Sequence, residues 1–121
     1  MGSKDKIILD TNIIIYLLKG EQRLSDLLDG SQLAYSVISE IELLGYPEIK
    51  ESEELKILQF LHDCFPLEMD RGIRQLAIEM RRRYGLHLAD AVIAATSYFH
   101  NYQLVTADRF LKGRWPIYFK V

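Results

Sequence analysis

The stretch that most constrains this chain runs from Ile7 to Leu18. The apolar run Ile7-Ile8-Leu9 ends at a carboxylate, Asp10, and passes through Thr11-Asn12 into Ile13-Ile14-Ile15-Tyr16-Leu17-Leu18. A β-branched run without polar alternation reads as a strand buried on both faces, the pattern of a parallel sheet, and the apolar segment behind it as a helix. In open α/β sheets, ligands lie beyond the carboxyl ends of such strands. Asp10 stands at that point and faces the positive end of the following helix, which favours an anion.

Further strands are expected at Leu33-Ala34-Tyr35-Ser36, Phe65–Met69, Leu104-Val105-Thr106 and Ile117-Tyr118-Phe119. Between them the apolar spacing and the stop signals Gly20, Gly30 and Gly45-Tyr46-Pro47 predict helices at Asn12–Leu18, Glu21–Asp29, Ser39–Leu44, Ser52–Cys64, Asp70–Arg83 and Leu88–Tyr98. This alternation predicts an α/β fold with a central, mainly parallel sheet of about five strands and helices on both faces. With 121 residues and 49% hydrophobic side chains, residues 1–121 read as one domain, and folding should bury roughly 65% of the unfolded surface. Residues 1–6 read as a disordered or tag-derived start.

The formal charge of −2 argues against holding nucleic acid by bulk charge alone, and leaves room for a local basic rim. The one cysteine, Cys64, precludes an intrachain disulfide and a Cys-based zinc site. No apolar run approaches about 18 residues, so no membrane span is expected, and the cytoplasm is the expected location.

Four acids stand where strands end or helices begin: Asp10, Glu42, Asp90 and Asp108. In a doubly wound sheet such positions can converge on one rim. Two like charges about 4 Å apart repel by about 4 kcal/mol at an effective dielectric of about 20, so a cluster of carboxylates survives by protonation or by holding a cation. Oxygen donors alone select Mg²⁺ or Mn²⁺ rather than zinc, and these ions serve phosphoryl chemistry. Each acid also has a bland reading. Asp10 can cap the helix expected from Asn12, and Ser39-x-x-Glu42 has the form of a capping box, with Glu40 a rival ligand on the same turn. Asp108 can be a turn residue. Asp90 resists dismissal, because a carboxylate within an apolar helix is expensive unless paired or metal-bound.

Taken together, Leu9-Asp10-Thr11-Asn12, Ser39-x-x-Glu42-Leu43, Leu88-Ala89-Asp90-Ala91-x-Ile93-Ala94-Ala95 and Leu104-Val105-Thr106-x-Asp108 resemble a PIN-domain ribonuclease, nearest to the VapC-type toxins of toxin–antitoxin pairs. The resemblance covers nearly the whole chain. It implies a three-layer α/β/α sandwich, hydrolysis of RNA in the cytoplasm, Mg²⁺ or Mn²⁺ held by Asp10, Glu42, Asp90 and Asp108, and polar support from Thr11, Asn12 and Thr106. It also implies an antitoxin protein as partner and a homodimer, for which apolar surface on the helix at 52–64 is a candidate interface. Two rivals belong to other classes: a non-catalytic module of the same fold that binds a partner, and an enzyme forming an aspartyl-phosphate on Asp10. The common form of the latter wants Asp-x-Asp, and here Asn12 holds the second position.

The run Arg81-Arg82-Arg83 suits a helix carboxyl end, or with Lys19, Lys112 and Arg114 a rim that binds RNA or a partner. His62, His87 and His100 have no ligand spacing, although His87 is near enough to Asp90 in sequence to touch substrate. Cys64, next to Phe65, reads as a buried apolar residue rather than a nucleophile. Trp115 beside Pro116 is expected to pack where the last strand enters.

Overall fold

The computed structural model describes residues 5–107 and the backbone of the strand at 118–120. In chain order the elements are β1 (Lys6–Leu9), α1 (Thr11–Leu18), α2 (Gln22–Leu28), β2 (Gln32–Ser36), α3 (Val37–Leu44), α4 (Glu51–His62), β3 (Phe65–Leu67), α5 (Arg71–Tyr84), α6 (Leu88–His100), β4 (Gln103–Thr106) and β5 (Tyr118–Lys120). The strands form one sheet in the order β3-β2-β1-β4-β5, and every neighbouring pair is parallel. The five strands and six helices therefore have the alternation expected from the sequence.

β1 is central because its residues are apolar on both sides. Ile7, Ile8 and Leu9 are fully buried. Fully burying three such side chains contributes roughly 5–9 kcal/mol before entropy, comparable with a domain's whole net stability. Alternation along the strand divides the core. Ile8, with Ala34 and Leu104, faces Ile73, Ala77 and Met80 of α5 and the Ala91–Ala95 segment of α6. Ile7 and Leu9, with Tyr35 and Val105, face Ile13 and Ile14 of α1, Leu24 and Leu28 of α2, Leu43 of α3, and Ile57 and Leu61 of α4. The result is a three-layer α/β/α sandwich.

α6 lies deepest: Ala91 to Ser97 are all buried. Its buried hydroxyls find acceptors, Thr96 on Val92 O at 2.6 Å and Ser97 on Tyr102 O at 2.6 Å, as buried polar groups must. α5 and α6 end on residues in the left-handed region, Gly85 (φ 66°) and Asn101 (φ 56°), the two residue types that bear that conformation most cheaply. Pro66 is tolerated because β3 is an edge strand, paired with β2 alone. Asp70 caps α5, accepting from Ile73 N at 2.9 Å.

The expected start of α3 is wrong. The helix begins at Val37, not Ser39, and its cap is Ser36, whose hydroxyl accepts from Ile38 N at 3.1 Å. β2 runs directly into α3 with no turn between them, so Val37 and Ile38 are helical rather than a continuation of the strand. Ser39 is fully buried in the first turn and Glu42 lies in the second, so the capping-box reading of Ser39 and Glu42 fails. α1 likewise starts one residue before the expected Asn12.

The strand order fixes where a ligand can lie. From β1 the chain steps outward through β2 to β3, then returns to the other side of β1 with β4. The connections from β1 and β4 therefore diverge at the carboxyl edge, and the crevice between these strands is the sheet's topological switch point. Asp10 follows β1 and Thr106 ends β4, so both stand at that crevice.

Candidate active site

Asp10 ends β1 and caps α1. Its amide donates to Val105 O of the neighbouring strand at 3.1 Å, and its carbonyl accepts from Ile14 N at 3.2 Å. The backbone is thus fixed by sheet and helix at once. The side chain is 6% exposed. Oδ1 accepts the Thr11 amide at 2.7 Å, and Oδ2 accepts the Thr106 hydroxyl at 2.5 Å. Hydrogen bonds to an ionised acceptor are short and about twice as strong as neutral ones. Together with the amino end of α1, they let a carboxylate remain buried at the switch point. The cap reading of Asp10 therefore holds, and the capping carboxylate is the one that stands at the switch point.

Glu42 reaches the same place from α3. The Thr11 hydroxyl donates to Glu42 Oε1 at 2.7 Å and lies 2.8 Å from Ser39 Oγ. Thr11 has one hydroxyl proton, so with that proton given to Glu42 the contact with Ser39 must run the other way. The order is Ser39 Oγ–H to Thr11 Oγ1–H to Glu42 Oε1. Such chains polarise one another and strengthen each bond. Thr11 thereby joins the two acids, its amide on Asp10 and its hydroxyl on Glu42. Glu40, the rival on the same helix, acts on Tyr35 of β2 instead. With burial as the larger cause, its charge helps to raise the Tyr35 hydroxyl above its ordinary pKa, as do Cys64 and Glu68.

Asp90 is half-buried in the first turn of α6, whose cap residue is the exposed His87. α6 runs back across the sheet to feed β4 from its amino edge, so its own amino end, with Asp90, lies towards the carboxyl edge where Asp10 stands. Asp108, two residues past β4, falls outside the described residues, as do Lys112, Arg114 and Trp115. Among the described residues, no three Asp, Glu, His or Cys side chains gather as a ready-made metal site. The donors that are described fit a hard divalent ion in type. They are all oxygens, the donor type that such an ion prefers.

Of the residues expected to give polar support, Thr11 and Thr106 both hydrogen-bond Asp10. Asn12 is exposed and stands outside this network. Ser39 is the residue the sequence reading missed, having been given to a cap. Its signal is a small polar side chain, a poor helix former, directly after the apolar pair Val37-Ile38. Elsewhere, His62 lies 3.6 Å from Asp63 on the surface. Cys64 gives its thiol proton to Phe60 O at 3.4 Å, and burial, helped by Asp63, raises its pKa to about 11. A nucleophilic thiol needs the opposite shift. Among the described residues no helix is long and apolar enough to cross a membrane.

Known proteins with this architecture agree. The family model described as the PIN domain matches residues 7–112. Similar solved structures include a toxin–antitoxin complex from Klebsiella pneumoniae, 25% identical with TM-score 0.81, covering 95% of this chain and 99% of that one. VapBC2 from Rickettsia felis bound to a DNA fragment from its promoter is 23% identical with TM-score 0.78, covering 94% and 97%. DNA-bound VapBC from Salmonella typhimurium is 20% identical with TM-score 0.76, covering 97% of each chain. No curated protein matches significantly. With nearly the whole described sheet and every acid of the predicted set inside the matched span, the chain belongs to the PIN-domain family.

Proposed function

We propose that this protein is a Mg²⁺- or Mn²⁺-dependent endoribonuclease and the toxin of a toxin–antitoxin pair. The observation that carries the reading is the buried Asp10 carboxylate, held at the switch point by Thr106 and the Thr11 amide, with Glu42 tied beside it through the Thr11 hydroxyl. Asp10, Asp90 and Asp108 would hold the ion, and Glu42 would be a further ligand or the base. When bound, the ion supplies charge neutralisation at phosphate oxygens and acidifies water.

The chain's own groups do the rest. Glu42 accepts a proton from the attacking water, and Thr11 sets the direction in which its carboxylate points. Water oxygen bonds to phosphorus in line with the departing 3′-oxygen, which leaves as the P–O bond breaks and takes up a proton. The products are a 5′-phosphate and a 3′-hydroxyl. The similarity to solved toxin–antitoxin complexes supports an antitoxin partner. Exposed Leu55 and Leu58 on α4 support a homodimer through that helix.

The test is cleavage of single-stranded RNA with and without Mg²⁺ or Mn²⁺, in the native protein and in Asp10→Asn. The native protein should cut only with the ion, and the variant should be inert while keeping its fold by circular dichroism. Cleavage by Asp10→Asn at the native rate, or no cleavage by the native protein with either ion, sinks the reading.

A further inference from the structure

α5 concentrates positive charge to a degree that its place in the fold does not require. It holds Arg71, Arg74, Arg81, Arg82 and Arg83 against one acid, Glu79. In a chain of net charge −2, that helix alone is +4 and all other residues together are −6. The five arginines are exposed, and among the described residues none of them forms an ion pair, the one such pair being His62–Asp63. Arginines at a helix carboxyl end are explained by the macrodipole. Arg71 and Arg74 are not, because they stand at the start of the helix, where positive charge is disfavoured, and the acid there, Asp70, is engaged as the cap on Ile73 N.

The arrangement is a stripe. At 3.6 residues per turn, Arg71, Arg74, Arg81 and Arg82 fall within about 120° of the helix circumference, with Ile78 near the middle. That sector is centred about 120° around the helix from Ile73, Ala77 and Met80, which are buried. Ile78 is 52% exposed, an apolar contact set among charges. From Arg71 to Arg82 the stripe is roughly 17 Å long at 1.5 Å per residue. Its carboxyl end approaches the acids: Arg81 Nε donates to Leu86 O at 3.1 Å. Leu86 is followed four residues later by Asp90, at most about 14 Å of chain.

We propose that the outer face of α5 is the track along which single-stranded RNA lies as it enters the site, its phosphates on Arg71, Arg74, Arg81 and Arg82. This deepens the nuclease reading and rests on it. A linear row of guanidinium groups, none in an ion pair among the described residues, leading to an acidic centre is complementary to a polyanion that must be cut at one bond. The acids alone would repel such a substrate, and the arginines offset that repulsion next to them. An apolar side chain within the row suits the sugar and base faces of a flexible strand.

The experiment uses the full chain and the double variant Arg71→Gln/Arg74→Gln, whose positions are the far end of the helix from Asp90. Binding of a fluorescent single-stranded RNA is followed by anisotropy in EDTA at several salt concentrations, and cleavage is followed with Mg²⁺. Two lost phosphate contacts should lower the slope of log K against log salt by about 1.4 and weaken binding roughly 10- to 30-fold at 0.1 M salt. In cleavage, KM should rise with kcat retained. Unchanged affinity, slope and KM in a folded variant overturn the proposal. So does an equal or larger loss for duplex DNA, which assigns the face to a duplex. Self-association abolished in the variant at unchanged RNA affinity would assign the face to a second copy and also overturn it. RNA binding that depends on these arginines in a native protein that never cuts RNA would defeat the nuclease reading and leave the track standing.

Discussion

Thr106 and Asp10 are 96 positions apart in the chain, yet the hydroxyl of one rests 2.5 Å from the carboxylate of the other. The contact closes the crevice between β4 and β1, the only neighbouring strands whose onward connections diverge. Hydrogen bonds to charged groups contribute about 1.5–3 kcal/mol. Thr106→Val keeps the shape and β-branching of the side chain and removes the donor. The variant should melt on the order of 5–10 °C lower than the native chain and lose RNA cleavage severalfold or more, and Thr106→Ser should restore most of both. Equal melting of Val and native proteins would mean the bond contributes nothing.

Thr11 tests the proton chain. Thr11→Val leaves the Asp10 contact, which uses the backbone amide, and removes the hydroxyl between Ser39 and Glu42. Because Ser39 is fully buried, its own hydroxyl then loses a partner, at about 1–3 kcal/mol. Cleavage should fall through kcat rather than KM, with Thr11→Ser restoring it. A change confined to KM would place Thr11 in substrate binding instead.

Metal addition has a signature separate from activity. A ligand at 100 times its Kd stabilises the native state by about 2.7 kcal/mol. Saturating Mg²⁺ or Mn²⁺ should therefore raise the Tm of the native protein by several degrees and leave that of Asp10→Asn unmoved. The same rise in both proteins would place the ion away from Asp10.

Cys64 gives a pH prediction. Its folded pKa, about 11, lies above its ordinary 9.0, chiefly through burial. Below pH 9 folded and unfolded chains both carry the thiol, so its contribution to stability is intact. Between about 9 and 11 the unfolded chain loses its proton first, and that contribution is lost as pH rises through the folded pKa. Iodoacetamide should therefore modify the native protein with a rate that inflects near pH 11, and the urea-unfolded protein near pH 9. A native inflection at or below 9 would contradict the buried environment.

How much was legible in the residues follows from which physics is local. β1 was legible because three consecutive apolar residues followed by an acid leave few alternatives, and α6 because its apolar surface wraps all round. Asp70 and the run Arg81-Arg82-Arg83 marked the ends of α5 by cap and dipole chemistry that acts within one turn. The boundary at Ser36 was not legible. Val37 and Ile38 suit a strand as well as a helix, and only tertiary packing sent them into α3. That shift moved Ser39 from cap to core and joined it to Thr11, a contact between residues 28 positions apart that no local pattern announces. The pairing of Thr106 with Asp10 was foreseeable only as a shared rim, because the register of β1 with β4 decides which residues meet. Asp108, expected in the same set, lies outside the described residues.

On the proposed function Asp10 has a dual duty, and it would make inactivation easy to bear. Asparagine is as good an N-cap as aspartate, and its amide can offer Oδ1 to the Thr11 amide and Nδ2 to the Thr106 hydroxyl oxygen. A chain altered at this one atom would keep its shape, its surfaces and every site at which other molecules recognise it, with only the reaction gone. Such a silent copy would compete with active copies for the same substrate and the same companions, so that one crippled molecule can restrain its intact siblings without ever misfolding.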